Sequence, residues 1–118
     1  MIRVRRVYNP PGQGEGERFL VDRLWLRGLK KESLRLGAWL RDVAPSDALR
    51  RWFGHNPKKW EEFRCRYFAE LDGKGEAWEP ILKVARRGNV TLLFSARDTR
   101  HNNVLALRDF LMAKLEEG

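Results

Sequence analysis

The chain has 118 residues, enough for one domain around one core, and 42% of them are hydrophobic, which excludes a disordered chain. No apolar run is long enough to span a membrane, the N-terminus lacks the apolar stretch of a signal peptide, and the single Cys65 has no internal disulfide partner, so a cytoplasmic protein is expected. The formal net charge of +8 and a pI near 10.2 fit either a polyanionic partner such as nucleic acid or the solvated, arginine-rich surface of a heat-tolerant protein. The basic residues are scattered along the chain, not gathered in one tract, which favours the solvated surface.

Ile2–Val7 alternates apolar and basic residues, the period of a strand with one buried and one positive face. Prolines and glycines between Tyr8 and Gly16 read as a loop, and their spacing is not a dinucleotide fingerprint. Phe19-Leu20-Val21 starts a second strand, followed at once by Asp22, Arg23, Trp25 and Arg27. Asp22 and Arg23 make an ion pair that holds the corner together, or else Arg23 or Arg27 is an anion clamp, since a guanidinium fork matches carboxylate and phosphate. Trp25 reads as a packing residue or cavity wall.

Lys30–Leu36 has the length of one or two helical turns, and Ala38–Val43 reads as a short third strand ended by Pro45. Ser46 caps a short helix over Asp47–Phe53, which Gly54 closes; Asp47 and Arg50-Arg51 complement its dipole. The next helix has Asn56 as cap and Pro57 at its first position, with Trp60, Phe63, Tyr67 and Leu71 on one apolar face. Lys58 and Lys59 in its first turn oppose the dipole, which suggests a surface able to take an anion. Glu62 and Arg66 pair on the outside, and Cys65 lies off the buried face. A further helix carries Trp78, Ile81, Leu82 and Ala85, with Pro80 expected in its first turn and Gly88 as its stop.

The last stretch, Asn89–Phe110, is the richest in chemistry. Val90, Leu92, Leu93 and Phe94 form a strand buried on both faces. A polar corner from Ser95 to Asn103 follows, with Asp98 or Thr99 as helix cap, and then a helix whose Val104, Leu107, Leu111 and Leu115 share one face. The expected architecture is a single α/β domain over residues 1–118, with a mostly parallel sheet of about four strands flanked by helices.

If the second and last strands are parallel neighbours, their C-terminal ends converge, and ligands of α/β sheets collect there. Asp22 or Asp98 is then a candidate base and His101 a candidate acid or base. Arg23, Arg27 and Arg97 would hold an anionic group, with Trp25, His55 and Asn102 beside it. Ser95 sits in no nucleophile elbow. His55 and His101 have no thiol pair or carboxylate spacing near them, so neither a metal nor a cofactor is expected.

VDRLWLRGL, LRDVAPSDALRRWFGHNPKKWEEFRCRY and TLLFSARDTRHNNVLALRDFL together resemble the YeaO-like family of bacterial and archaeal proteins, a domain of unknown function. The resemblance runs from about Ile2 to Leu111 and implies an α/β domain, but no activity. It carries Asp22, Arg23, Trp25, Arg27, Trp52, His55, Arg97, Asp98, His101 and Asn102 as motif residues. Leu26 stands where relatives usually have proline. More distant relatives resemble this chain with Cys and His in the last corner, where Asn102 and Asn103 stand here, so thiol or metal chemistry at that place is not expected. Two functions are left open: a small enzyme or ligand-binding protein for an anionic small molecule, and a basic nucleic-acid-binding module.

Overall fold

The computed structural model describes residues 1–8, 14–23, 37–95, 98 and 100–117. Its strands are β1 (Ile2–Arg6), β2 (Glu17–Leu20), β3 (Ala38–Trp39) and β4 (Val90–Phe94). They form one sheet in the order β1-β4-β2-β3, and every pairing is parallel. β4 lies inside the sheet, with Leu92 opposite Val4 on one side and Phe19 on the other. All five of its residues are buried, as a two-sided parallel strand requires. Ile2, Phe19, Val21, Val90, Leu92 and Phe94 join the main core. Leu20 and Leu93, on the opposite face by alternation, are also fully buried.

The helices are α1 (Asp47–Phe53), α2 (Trp60–Asp72), α3 (Gly75–Ala85) and α4 (Asn103–Glu117). Their apolar faces meet over the first sheet face: Phe63, Tyr67 and Leu71 from α2, Ile81 and Leu82 from α3, Val104, Leu107 and Leu111 from α4. Ser46 caps α1 by accepting from the Leu49 N–H, and Gly54 ends it in the left-handed region at φ +54°. Gly16, at φ +69°, is required for a second reason. A Cβ there would lie 1.9 Å from the Asn89 carbonyl oxygen, where the Glu17 N–H bonds to the same carbonyl.

Three local expectations need correction. The strand expected over 38–43 is only Ala38–Trp39, and Arg41–Val43 is a 3₁₀ turn. Val43 is fully buried and its carbonyl accepts from the Tyr67 hydroxyl, so the chain bends towards α2 instead of extending. Asn56 and Pro57 do start helical structure, but as a 3₁₀ turn (Pro57–Lys59) ahead of α2. Pro80 lies in the second turn of α3 because that helix begins at Gly75; both Pro80 and Glu76, whose carbonyl it leaves without a helical donor, are exposed. The turns expected over Lys30–Leu36 lie outside the described residues.

Candidate functional site

α4 packs against β1 and β4, whereas β3 lies on the far side of β2. The described elements that follow β4 and β2 in the chain thus lie on opposite sides of the β4–β2 pair. The gap between the C-terminal ends of these strands is a topological switch point, the place where open α/β sheets hold ligands.

Asp22 closes this gap. Its Oδ2 accepts from the Ser95 backbone N–H at 3.1 Å and from the Ser95 hydroxyl at 3.0 Å. Its main-chain carbonyl accepts from the Trp39 indole at 2.7 Å, which ties β2 to the residue ending β3. Burial pushes the Asp22 carboxyl above its ordinary value, against the lowering effects of the two Ser95 hydrogen bonds and the Arg50 charge. Tyr67 lies in the core behind it. Burial, then the charges of Glu70 and Asp22, push its phenol upward, so it stays neutral and donates to the Val43 carbonyl. Glu70 takes both donors of Ser46, its N–H at 2.9 Å and its hydroxyl at 2.5 Å, and so fixes the start of α1 against α2.

Arg23 does not pair with the neighbouring Asp22. Its Nε lies 3.4 Å from Asp47 Oδ1, and Arg50 Nη1 approaches the same oxygen at 3.6 Å. All three side chains are about half exposed, so these pairs hold the guanidinium groups in place more than they stabilise the fold.

The corner after β4 is built from local bonds. Asp98 Oδ1 accepts from the N–H groups of Arg100 and His101 at 2.8 and 2.9 Å, and Oδ2 lies 3.2 Å from His101 Nδ1. The backbone donors of Arg100 and His101 hold the Asp98 carboxyl below its ordinary value. Asn102 is buried and caps α4: its Oδ1 accepts from Val104 and Leu105, and its Nδ2 donates to the Asp98 carbonyl. The helix cap is thus Asn102 and not Asp98 or Thr99. Asp98 closes the turn just before it, because helical dihedrals begin only at Asn103. The His101 ring meets Trp60 edge-on at 5.6 Å. Trp60 and Phe53, 6.0 Å apart, continue the aromatic contact to His55, whose ring is 6.3 Å from Phe53. His55 itself is exposed and holds φ at +56°.

The structure thus brings Asp22 and Arg23 together at the end of β2, and Asp98, His101 and Asn102 together at the corner. Trp25, Arg27 and Arg97 lie outside the described residues. Asp47, Arg50 and Ser95 join Asp22 and Arg23. The first two read in the sequence only as dipole-compensating charges of a short helix. Among the described residues no group of three His, Cys, Asp or Glu side chains could hold a metal ion, and no helix is long and apolar enough to cross a membrane. An open groove of about 480 Å³, lined by Asp42, Lys74, Glu76 and Ala77, contains none of the site residues.

Over residues 1–118 the chain matches the model of a family described as the inactive DUF488-N3 subclade. It is 40% identical over 110 residues to the uncharacterized protein YeaO of Escherichia coli, covering 93% of this chain and 96% of that one. It is 37% identical over 110 residues to uncharacterized proteins of Mycobacterium bovis and Mycobacterium tuberculosis, covering 93% of this chain and 92% of each. No solved structure matches.

Proposed function

The chain belongs to the inactive DUF488-N3 subclade, and from that premise we propose that it binds an anionic small molecule at the C-terminal ends of β2 and β4 without turning it over. The observation that carries this reading is the switch point itself. Two motifs far apart in sequence meet there through Asp22 and Ser95, with the half-exposed guanidinium groups of Arg23 and Arg50 beside them. A phosphate or carboxylate would take its donors from Arg23 and Arg50, and Asp22 would take a donor from a hydroxyl of the same molecule.

Two facts support binding over catalysis. The family description uses the word inactive. Of the candidate proton carriers, Asp98 has both oxygens engaged within its own turn and is held in its charged form, which makes it a weak base. The backbone donors that would make the corner an anion site are taken as well. Asp98 accepts those of Arg100 and His101, and Asn102 those of Val104 and Leu105.

The test is calorimetric titration with inorganic phosphate, a sugar phosphate, a nucleoside monophosphate and a dicarboxylate, with each bound mixture followed by NMR for turnover. At least one probe should bind, Arg50→Ala should weaken it about tenfold or more, and the probe should remain unchanged over hours. Equal affinity in wild type and Arg50→Ala would sink the site, and turnover would sink the non-catalytic reading.

A further inference from the structure

The WFGHNPKKW segment belongs to one of the stretches that carry the family resemblance, yet it takes no part in the site at the strand ends. It runs through the end of α1, the left-handed Gly54-His55 pair and the 3₁₀ turn into α2. Trp52 stands half-buried at its start. The Arg66 guanidinium lies over its ring at 4.2 Å from the centroid, and Lys59 Nζ lies 5.0 Å from it. Lys59 spends its hydrogen bond on the neutral Trp52 carbonyl, at 2.8 Å, so its charge is not cancelled by the contact. Arg51 and Lys58 are exposed in the same segment. Of the nearby carboxylates, Glu61 pairs with Arg64, whereas Glu62 pairs with Arg66 and offsets its charge while leaving the guanidinium over the indole. The result is an aromatic plane with cations against it and further cations around it.

We propose that this α1–α2 surface, centred on Trp52 with Lys58, Lys59 and Arg66, is a contact surface for single-stranded nucleic acid. Lysines bind backbone phosphates as point charges. A guanidinium stacked on an indole gives a base a planar cationic face to lie on, something an acidic peptide does not use. The +8 charge of the whole chain favours approach of a polyanion from any direction, and this surface gives it a place to stop. The surface shares no residue with the pair Arg23 and Arg50, so its fate is independent of the small-ligand reading.

Fluorescence anisotropy of the full chain with a labelled single-stranded oligonucleotide tests it. Phosphate contacts from Lys58 and Lys59 give a salt slope of about −1.4, so affinity should fall roughly sevenfold between ~50 and ~200 mM salt. Lys58→Glu, an exposed change whose fold is to be checked by thermal melting, should lower affinity at least about fivefold and make the slope shallower by about 0.7. Arg66→Ala should weaken binding without a comparable change in slope if stacking dominates its role. No binding at ~50 mM salt overturns the proposal. So does unchanged affinity in Lys58→Glu, which would put the contact elsewhere. Equal displacement by polyglutamate also overturns it, in favour of an acidic protein segment. Arg50→Ala should leave this affinity within about twofold.

Discussion

Asp22 reaches from the end of β2 to Ser95, 73 positions along the chain, while Asp98 satisfies donors two and three positions away in its own turn. Both are aspartates of the stretches that carry the family resemblance, both follow the C-terminal ends of inner strands, and their environments push them in opposite directions. Burial raises the Asp22 carboxyl, because its charge is expensive where water is scarce; backbone N–H groups lower Asp98, which lies where water is plentiful. A long-range tie between strands sets the geometry of a site, whereas a local turn sets only the path of the chain through it. Substitutions at the two places should therefore differ in kind.

The largest effect is expected for Asp22→Ala. It strands the Ser95 N–H and hydroxyl at a half-buried position and unhooks the ends of two neighbouring strands, a loss of about 1–3 kcal/mol in urea unfolding. Asn102→Ala comes next at about 1–2 kcal/mol, since it removes a buried cap that serves two backbone donors of α4. Asp98→Ala should cost less than either. A loss for Asp98→Ala as large as that for Asp22→Ala would erase the distinction between tie and turn.

That distinction was only half legible in the sequence. Local patterns were plain: the apolar run of β4, the Ser46 cap, the Gly54 stop and the Trp60–Leu71 stripe each depend on residues within a few positions. The parallel pairing of the second and last strands was a condition in the argument and is now a fact. What the sequence hid were partners chosen by tertiary distance. Arg23 pairs with Asp47 across 24 positions and not with adjacent Asp22, and Tyr67 bends the chain at Val43. The pairing of buried Glu15 with buried Arg18 and half-buried Arg5 was equally invisible, because a loop glutamate next to glycines looks solvated. In the corner, Asn102 looked like a ligand contact, since its burial depends on where α4 docks.

The pH dependence sharpens the same comparison. Asp22 has a folded value above its ordinary 3.8, so the stability it contributes is fully present below that value and is lost as pH rises through the folded value. Wild type should therefore gain on Asp22→Asn as pH falls from neutral towards 3.8. Asp98 has a folded value below 3.8, so its contribution is present above 3.8 and is lost as pH falls through the lower folded value. Wild type should accordingly lose its advantage over Asp98→Asn only below 3.8. Unfolding curves of the three proteins across this range would show opposite trends; parallel trends would mean that burial and hydrogen bonding do not divide the two aspartates as described.

The smallest effect concerns His55, which is neither a tie nor a turn closure. It follows Gly54, and both hold positive φ, +54° and +56°. Glycine tolerates that region freely, but a histidine pays at least about 1 kcal/mol for its Cβ. The ring returns little, being exposed and only in a distant, tilted contact with Phe53 at 6.3 Å. His55→Gly is therefore expected to leave stability unchanged or raise it by up to about 0.5 kcal/mol, because relief of strain competes with the greater freedom of an unfolded glycine. Two measurements on this variant separate a strained connector from a functional residue. If stability holds and binding of both the small anion and the oligonucleotide is intact, the left-handed histidine only steers the chain into α2. If stability holds but either binding falls tenfold, the strain is retained for the imidazole, which then belongs to that contact.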